Sequence, residues 1–65
     1  MTIPGPSKTE IRAARLRYDL TQTAAAELIY CGQRAWAEWE AGNREMHPAY
    51  WELFCIKAAA AVAPT

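Results

Sequence analysis

LTQTAAAELIYCGQRAWAEWEAG, Leu20–Gly42, is the stretch on which the fold turns. Thr21 is a good N-cap, because its hydroxyl can accept a hydrogen bond from an N–H that the first helical turn leaves free. The residues that follow, Gln22–Ile29, are mostly strong helix formers, and Ala25, Ala26, Leu28 and Ile29 supply an apolar side. Tyr30, Cys31 and Gly32 form a turn, helical character resumes at Gln33, and Gly42-Asn43 ends it as a C-cap pair. Two short helices joined by a tight turn constitute a helix-turn-helix, a unit whose second helix can enter the major groove of duplex DNA.

Working outward, Met1–Pro6 carries two prolines and a glycine and reads as an irregular arm. Ser7 or Thr9 can cap a first helix in which Ile11, Ala14 and Tyr18 share one face, while Arg12 and Arg17 lie elsewhere on the cylinder. Downstream, Pro48 suits the first position of a helix, where its missing N–H costs nothing. Trp51, Phe54, Cys55 and Ala58 then make an apolar stripe that Leu53 and Ile56 widen, and the helix runs through the alanine-rich stretch toward Pro64. The expectation is an all-α bundle of four helices, at most five, near residues 8–18, 21–29, 33–41 and 48–61. Residues 1–7 form the arm and residues 8–63 the helix-turn-helix domain.

Sixty-five residues make one domain, which buries only roughly 60% of the surface of its unfolded chain. Secretory and membrane-spanning segments are not indicated, since no apolar run approaches the ~20 residues a span requires; a cytoplasmic protein is expected. Cys31 and Cys55 lack zinc-site spacing and read as small buried apolar residues, so neither a metal nor a disulfide is expected. The net charge is zero, weaker support for nucleic-acid binding than a basic domain offers. Its distribution is uneven, with Lys8, Arg12, Arg15 and Arg17 early and Glu38, Glu40, Glu45 and Glu52 late, which permits a basic face. No nucleophile, carboxylate pair or phosphate-cradling glycine loop stands out, so no enzyme and no cofactor are expected.

The segment Leu20–Gly42 resembles, in register and without a gap, the Cro and lambda-repressor-like (XRE-type) family of helix-turn-helix DNA-binding proteins. Leu20-Thr21-Gln22 matches the family's entry into its second helix, and Ala26 matches the small residue at the helix crossing. Trp36 and Trp39 stand at the two buried positions of the recognition helix, and Glu40-Ala41-Gly42 at its terminating Glu-x-Gly. The resemblance implies a lambda-repressor-like fold, with Arg15 paired to Glu40. It also implies that Gln22 contacts the DNA backbone and buttresses Gln33, and that the loop at Asn43 and Arg44 grips further phosphates. Where this chain has Tyr30 the family often has glycine. Tyrosine with positive φ is strained, so the expectation is a turn of different shape, or a Tyr30 that lies over it and packs.

Helical geometry adds its own statement. At ~100° per residue Trp36 and Trp39 point together toward the core, leaving Arg34, Ala37, Glu38 and Ala41 outward and Gln33 on the flank. Gln33 can bond the N6/N7 edge of adenine and Arg34 the O6/N7 edge of guanine. Ala37 can meet a thymine methyl, and Glu38 can accept from cytosine or orient Arg34. Thr21, Gln22, Thr23, Asn43 and Arg44 are the candidate phosphate contacts, which position rather than specify. Blander readings stand beside these: Arg34 and Glu38 as a surface ion pair, the tryptophans as core rather than a stacking platform, and His47 as a helix cap or solvated residue rather than a metal ligand. The function expected is a sequence-specific duplex-DNA-binding repressor or autoregulator acting as a homodimer on an inverted repeat. The competing expectation is an antitoxin-like module that binds a protein partner.

Overall fold

The computed structural model describes residues 5–62, so the arm before Gly5 and the stop at Pro64 lie outside the described residues. Four helices follow one another: α1 Lys8–Arg17, α2 Gln22–Leu28, α3 Gln33–Ala41 and α4 Pro48–Val62. No strand occurs among the described residues. The protein is thus a small all-α bundle, with helix ends within two residues of those expected. α3 packs on both α1 and α2, and α4 packs on α2.

Local chemistry explains the helix starts. Ser7 accepts the Glu10 N–H at 3.1 Å while its own N–H donates to the Glu10 carboxylate at 3.1 Å, a reciprocal capping box that opens α1. Thr21 accepts the Ala24 N–H at 3.1 Å and opens α2. At α4 the exposed His47 accepts the Ala49 N–H on its Nδ1 at 3.0 Å, the first of the two roles, cap or solvated residue, open to it from the sequence.

The first three helices end alike. Asp19, Tyr30 and Gly42 have φ of 56°, 61° and 82°, in the left-handed region. In each case two N–H groups fold back onto the last turn. Leu20 donates to the Arg15 carbonyl at 3.1 Å, Cys31 to Ala26 at 2.9 Å and Asn43 to Glu38 at 3.0 Å, each beside a shorter loop from the preceding residue. These are Schellman closures. Glycine takes this conformation freely and aspartate tolerates it, but tyrosine is strained there. Tyr30 nevertheless adopts it, so the turn keeps the shape that glycine would give. The ring does not pack over the turn, as the sequence had suggested, but is 81% exposed. Lys57 of α4 sits 4.0 Å from the ring centroid and donates to the phenol oxygen at 2.7 Å. Tyr30→Gly is expected to relieve the strain and raise Tm by roughly 5 °C in a circular-dichroism melt.

The core is Ile11, Ala25, Ala26, Ile29, Trp36, Trp39, Met46, Phe54 and Ala58. Trp36 and Phe54 are fully enclosed, with ring centroids 4.9 Å apart. Two expectations need correction, and one core residue was not foreseen. Ile56 does not widen the core stripe but is 62% exposed, because it falls on the face of α4 turned away from α2. Cys31 and Cys55 are half-buried rather than buried, and burial pushes the Cys55 thiol above its usual 9.0. Met46 is buried although it lies in the α3–α4 loop, where no helical period points to it. The backbone closes tightly there, since a Cβ at Gly5 would collide with the Met46 carbonyl oxygen.

Candidate nucleic-acid interface

Trp36 and Trp39 hold α3 by its inner side, 0% and 5% exposed, with ring centroids 5.8 Å apart in an edge-to-face arrangement. With that side fixed, Gln33, Arg34 and Ala41 are exposed, and Ala37 and Glu38 are half-buried on the flanks. No side chain caps the N-terminus of α3, where Gly32 is the N-cap. Gln33 and Arg34 therefore stand on the open first turn of the helix.

Gln33 is not free to wander. Its Nε2 donates to the Gln22 Oε1 at 2.8 Å, linking the first residue of α3 to the first residue of α2. The bond leaves Gln33 one N–H and its Oε1, a donor and an acceptor side by side on a fixed amide. The Gln22 nitrogen is not consumed by this contact. Beside them Thr21 and Thr23 are exposed, with the Thr21 oxygen also serving as the α2 cap.

Behind this surface lies a second linkage. The Arg15 guanidinium meets the Glu40 carboxylate with both arms, Nε to Oε2 at 2.6 Å and Nη2 to Oε1 at 3.1 Å. Its remaining arm donates to the Leu20 carbonyl at 2.9 Å, and the Trp36 indole N–H also donates to Glu40. The two charged side chains are only 14% and 7% exposed. Burial pushes the Glu40 carboxyl upward, but the hydrogen bonds from Arg15 and Trp36 and the Arg15 charge outweigh it, with a smaller share from Gln22. The carboxyl thus lies below its usual 4.5. The hydrogen bond to Glu40 raises Arg15 above its usual value against the opposing effect of burial. One cluster thereby joins α1, the α1–α2 turn and α3, and reaches the glutamine that steadies Gln33.

Arg34 and Glu38 do not pair; Arg15–Glu40 is the salt bridge formed among the described residues. The Arg34 guanidinium is consequently open to an incoming ligand. Asn43 and Arg44 are exposed in the loop after α3, but their backbone N–H groups turn back to the Glu38 carbonyl at 3.0 and 3.4 Å. Only their side chains can meet a phosphate. Among the described residues no group of three His, Cys, Asp or Glu side chains could hold a metal ion. No helix there is long and apolar enough to cross a membrane.

The sequence placed Gln33 and Arg34 at the head of α3. The contacts it missed are those of Lys57, which sits over one face of the strained Tyr30, and of Lys8, whose stem lies against Gly42. Neither carries a local signal, because both contacts join segments distant in the chain.

No family model matches the chain. It is similar to the Type II methyltransferase M.MspI of Moraxella sp, with 44% identity over 43 residues, 66% of this chain and 10% of that protein. The chain thus spans about a tenth of the length of the curated relative that it matches.

Proposed function

We propose that this protein is a sequence-specific duplex-DNA-binding repressor or autoregulator of the Cro and lambda-repressor-like type, acting in the cytoplasm without catalysis, with α3 in the major groove. The observation that carries this reading is the Gln22–Gln33 hydrogen bond at the open end of α3. Fixing an amide at an exposed helix start is of little use to the core, whereas it prepares one donor and one acceptor for the N6/N7 edge of adenine. Arg34, unpaired beside it, suits the O6/N7 edge of guanine. Ala37 and Glu38 complete the base-facing side, and Thr21, Gln22, Thr23, Asn43 and Arg44 are assigned to phosphates. The likeness to the methyltransferase covers too little of that protein to bring its activity here.

A single domain of this size presents a small interface, so useful affinity requires a symmetric pair on half-sites about one turn of DNA, ~34 Å, apart. The outward face of α4, with Ile56, Ala59 and Ala60 exposed, is the surface assigned to the homodimer. The same face favours the second reading, a module that docks on another protein.

Selection of bound duplexes from a random pool, followed by titration at two salt concentrations, tests the proposal. Phosphate contacts make affinity fall steeply with salt, and a protein-docking module shows no such slope. Arg34→Ala is expected to cost ~1–3 kcal/mol at one base position and to relax preference there. Gln22→Ala should weaken binding to all sequences through the lost phosphate contact and, by releasing Gln33, relax preference at the adenine position while leaving the position read by Arg34 unchanged. Equal, unselective losses from both would remove Arg34 as a base reader, and absence of duplex binding would end the proposal.

A further inference from the structure

The side of α1 that faces away from the core carries a depression of about 450 Å³ lined by Lys8, Thr9, Arg12, Ala13, Leu16 and Glu40. Its charge balance is one-sided. Glu40, the one carboxylate in its lining, is occupied by Arg15. Lys8 and Arg12 are exposed, and neither has a carboxylate partner among the described residues. One residue of its lining, Lys8, also lies against Gly42 at the end of α3. The Lys8 Cδ would lie 3.1 Å from a Cβ on Gly42, so its stem crosses the residue that closes α3 and leads into Asn43 and Arg44.

We infer that Lys8 and Arg12 extend the duplex contact onto α1 by gripping the sugar–phosphate backbone beyond the Asn43–Arg44 loop, an inference that rests on the function proposed above. The chemistry fits a sugar–phosphate strand. Two unpaired cations and the Thr9 hydroxyl can meet phosphate oxygens, while Ala13 and Leu16, the latter 55% exposed, offer an apolar floor to deoxyribose faces. This contact answers the difficulty raised by the neutral net charge, because the cations that the α3 face lacks are brought to it by α1. It carries no sequence information and adds affinity to every duplex alike.

The test measures how affinity depends on salt, using the full chain and its Lys8→Gln, Arg12→Gln and doubly substituted variants, on a selected duplex and on a random one. Each lost phosphate contact should flatten the log–log slope by about 0.9, so the double variant should lose roughly 1.8 per subunit with base preference unchanged. Arg17→Gln is the control, because Arg17 borders a different depression with Trp51 and Cys55 and should leave the slope intact. Circular dichroism and melting of each variant establish that the fold is kept, as both substituted side chains are exposed. An unchanged slope in a folded double variant that still selects its duplex overturns this inference and leaves the proposed function standing. A wild-type chain that binds no duplex overturns both.

Discussion

Glu40→Ala is expected to destabilise the fold by about 3 kcal/mol or more, the scale for removing one member of a buried ion pair. The loss exceeds that of one contact. The substitution strands the Arg15 guanidinium at 14% exposure without its carboxylate, and it removes the acceptor of the Trp36 indole N–H, a group inside the core. A 65-residue domain commands roughly 3–10 kcal/mol in total, so a substantial unfolded fraction should be present at room temperature. Urea denaturation followed by tryptophan fluorescence measures this as a fall in midpoint at constant slope. An effect under about 1 kcal/mol would show that the cluster is not what holds α1 to α3.

The same cluster sets a pH dependence whose direction follows from linkage. Because the Glu40 carboxyl is held below its usual 4.5 in the folded protein, its contribution is fully present above that value. It is lost progressively as pH falls from there through the lower folded value. Arg15, whose pKa is raised above its already high usual value, stays charged and places no second limit in the accessible range. Glu40→Gln removes the titration, so the stability difference between wild type and this variant should shrink on acidification below 4.5 and stay constant above it.

Phe54→Ala is expected to be equally severe, at about 3–5 kcal/mol. The ring is fully buried. It meets Trp36 at 4.9 Å, stacks with Trp51 at 6.1 Å and takes the edge of Tyr18 at 6.2 Å, so it joins the C-cap of α1 to α3 and α4 at one point. Alanine leaves a cavity that a chain this small has little means of filling. Far-UV circular dichroism should show lost helix at 25 °C and a broadened melt, whereas Phe54→Leu should retain a cooperative transition. Helical content and Tm near wild type in the alanine variant would contradict the assignment of this ring as the bolt of the bundle.

Much of the fold was legible because helices announce themselves over short distances. Thr21 as an N-cap, Gly42 at a helix end, Pro48 at a helix start and the spacing of Trp36 and Trp39 all act within about four residues. For the site, the same periodicity turned Gln33 and Arg34 outward. Pairing of Arg15 with Glu40, and of Gln22 with Gln33, entered only through likeness to a family, since no rule of spacing connects positions 25 or 11 residues apart. Ile56 shows where the pattern misleads: a stripe drawn on one helix is wider than the groove into which that helix sinks. At Tyr30 a local preference against positive φ lost to the closure of α2, in which two backbone hydrogen bonds need that conformation.

The chain alone therefore specified four helices, their capped ends and the inward tryptophans, because each depends on neighbours along the backbone. Packing settled which face of α4 is buried, that Met46 belongs to the core, that Gln33 is steadied and Arg34 left unpaired, and that Lys8 crosses onto Gly42. The physical reason is range. Caps and periodicity draw on contacts a turn apart, while burial and side-chain partnership depend on how whole helices cross, which only their joint core determines.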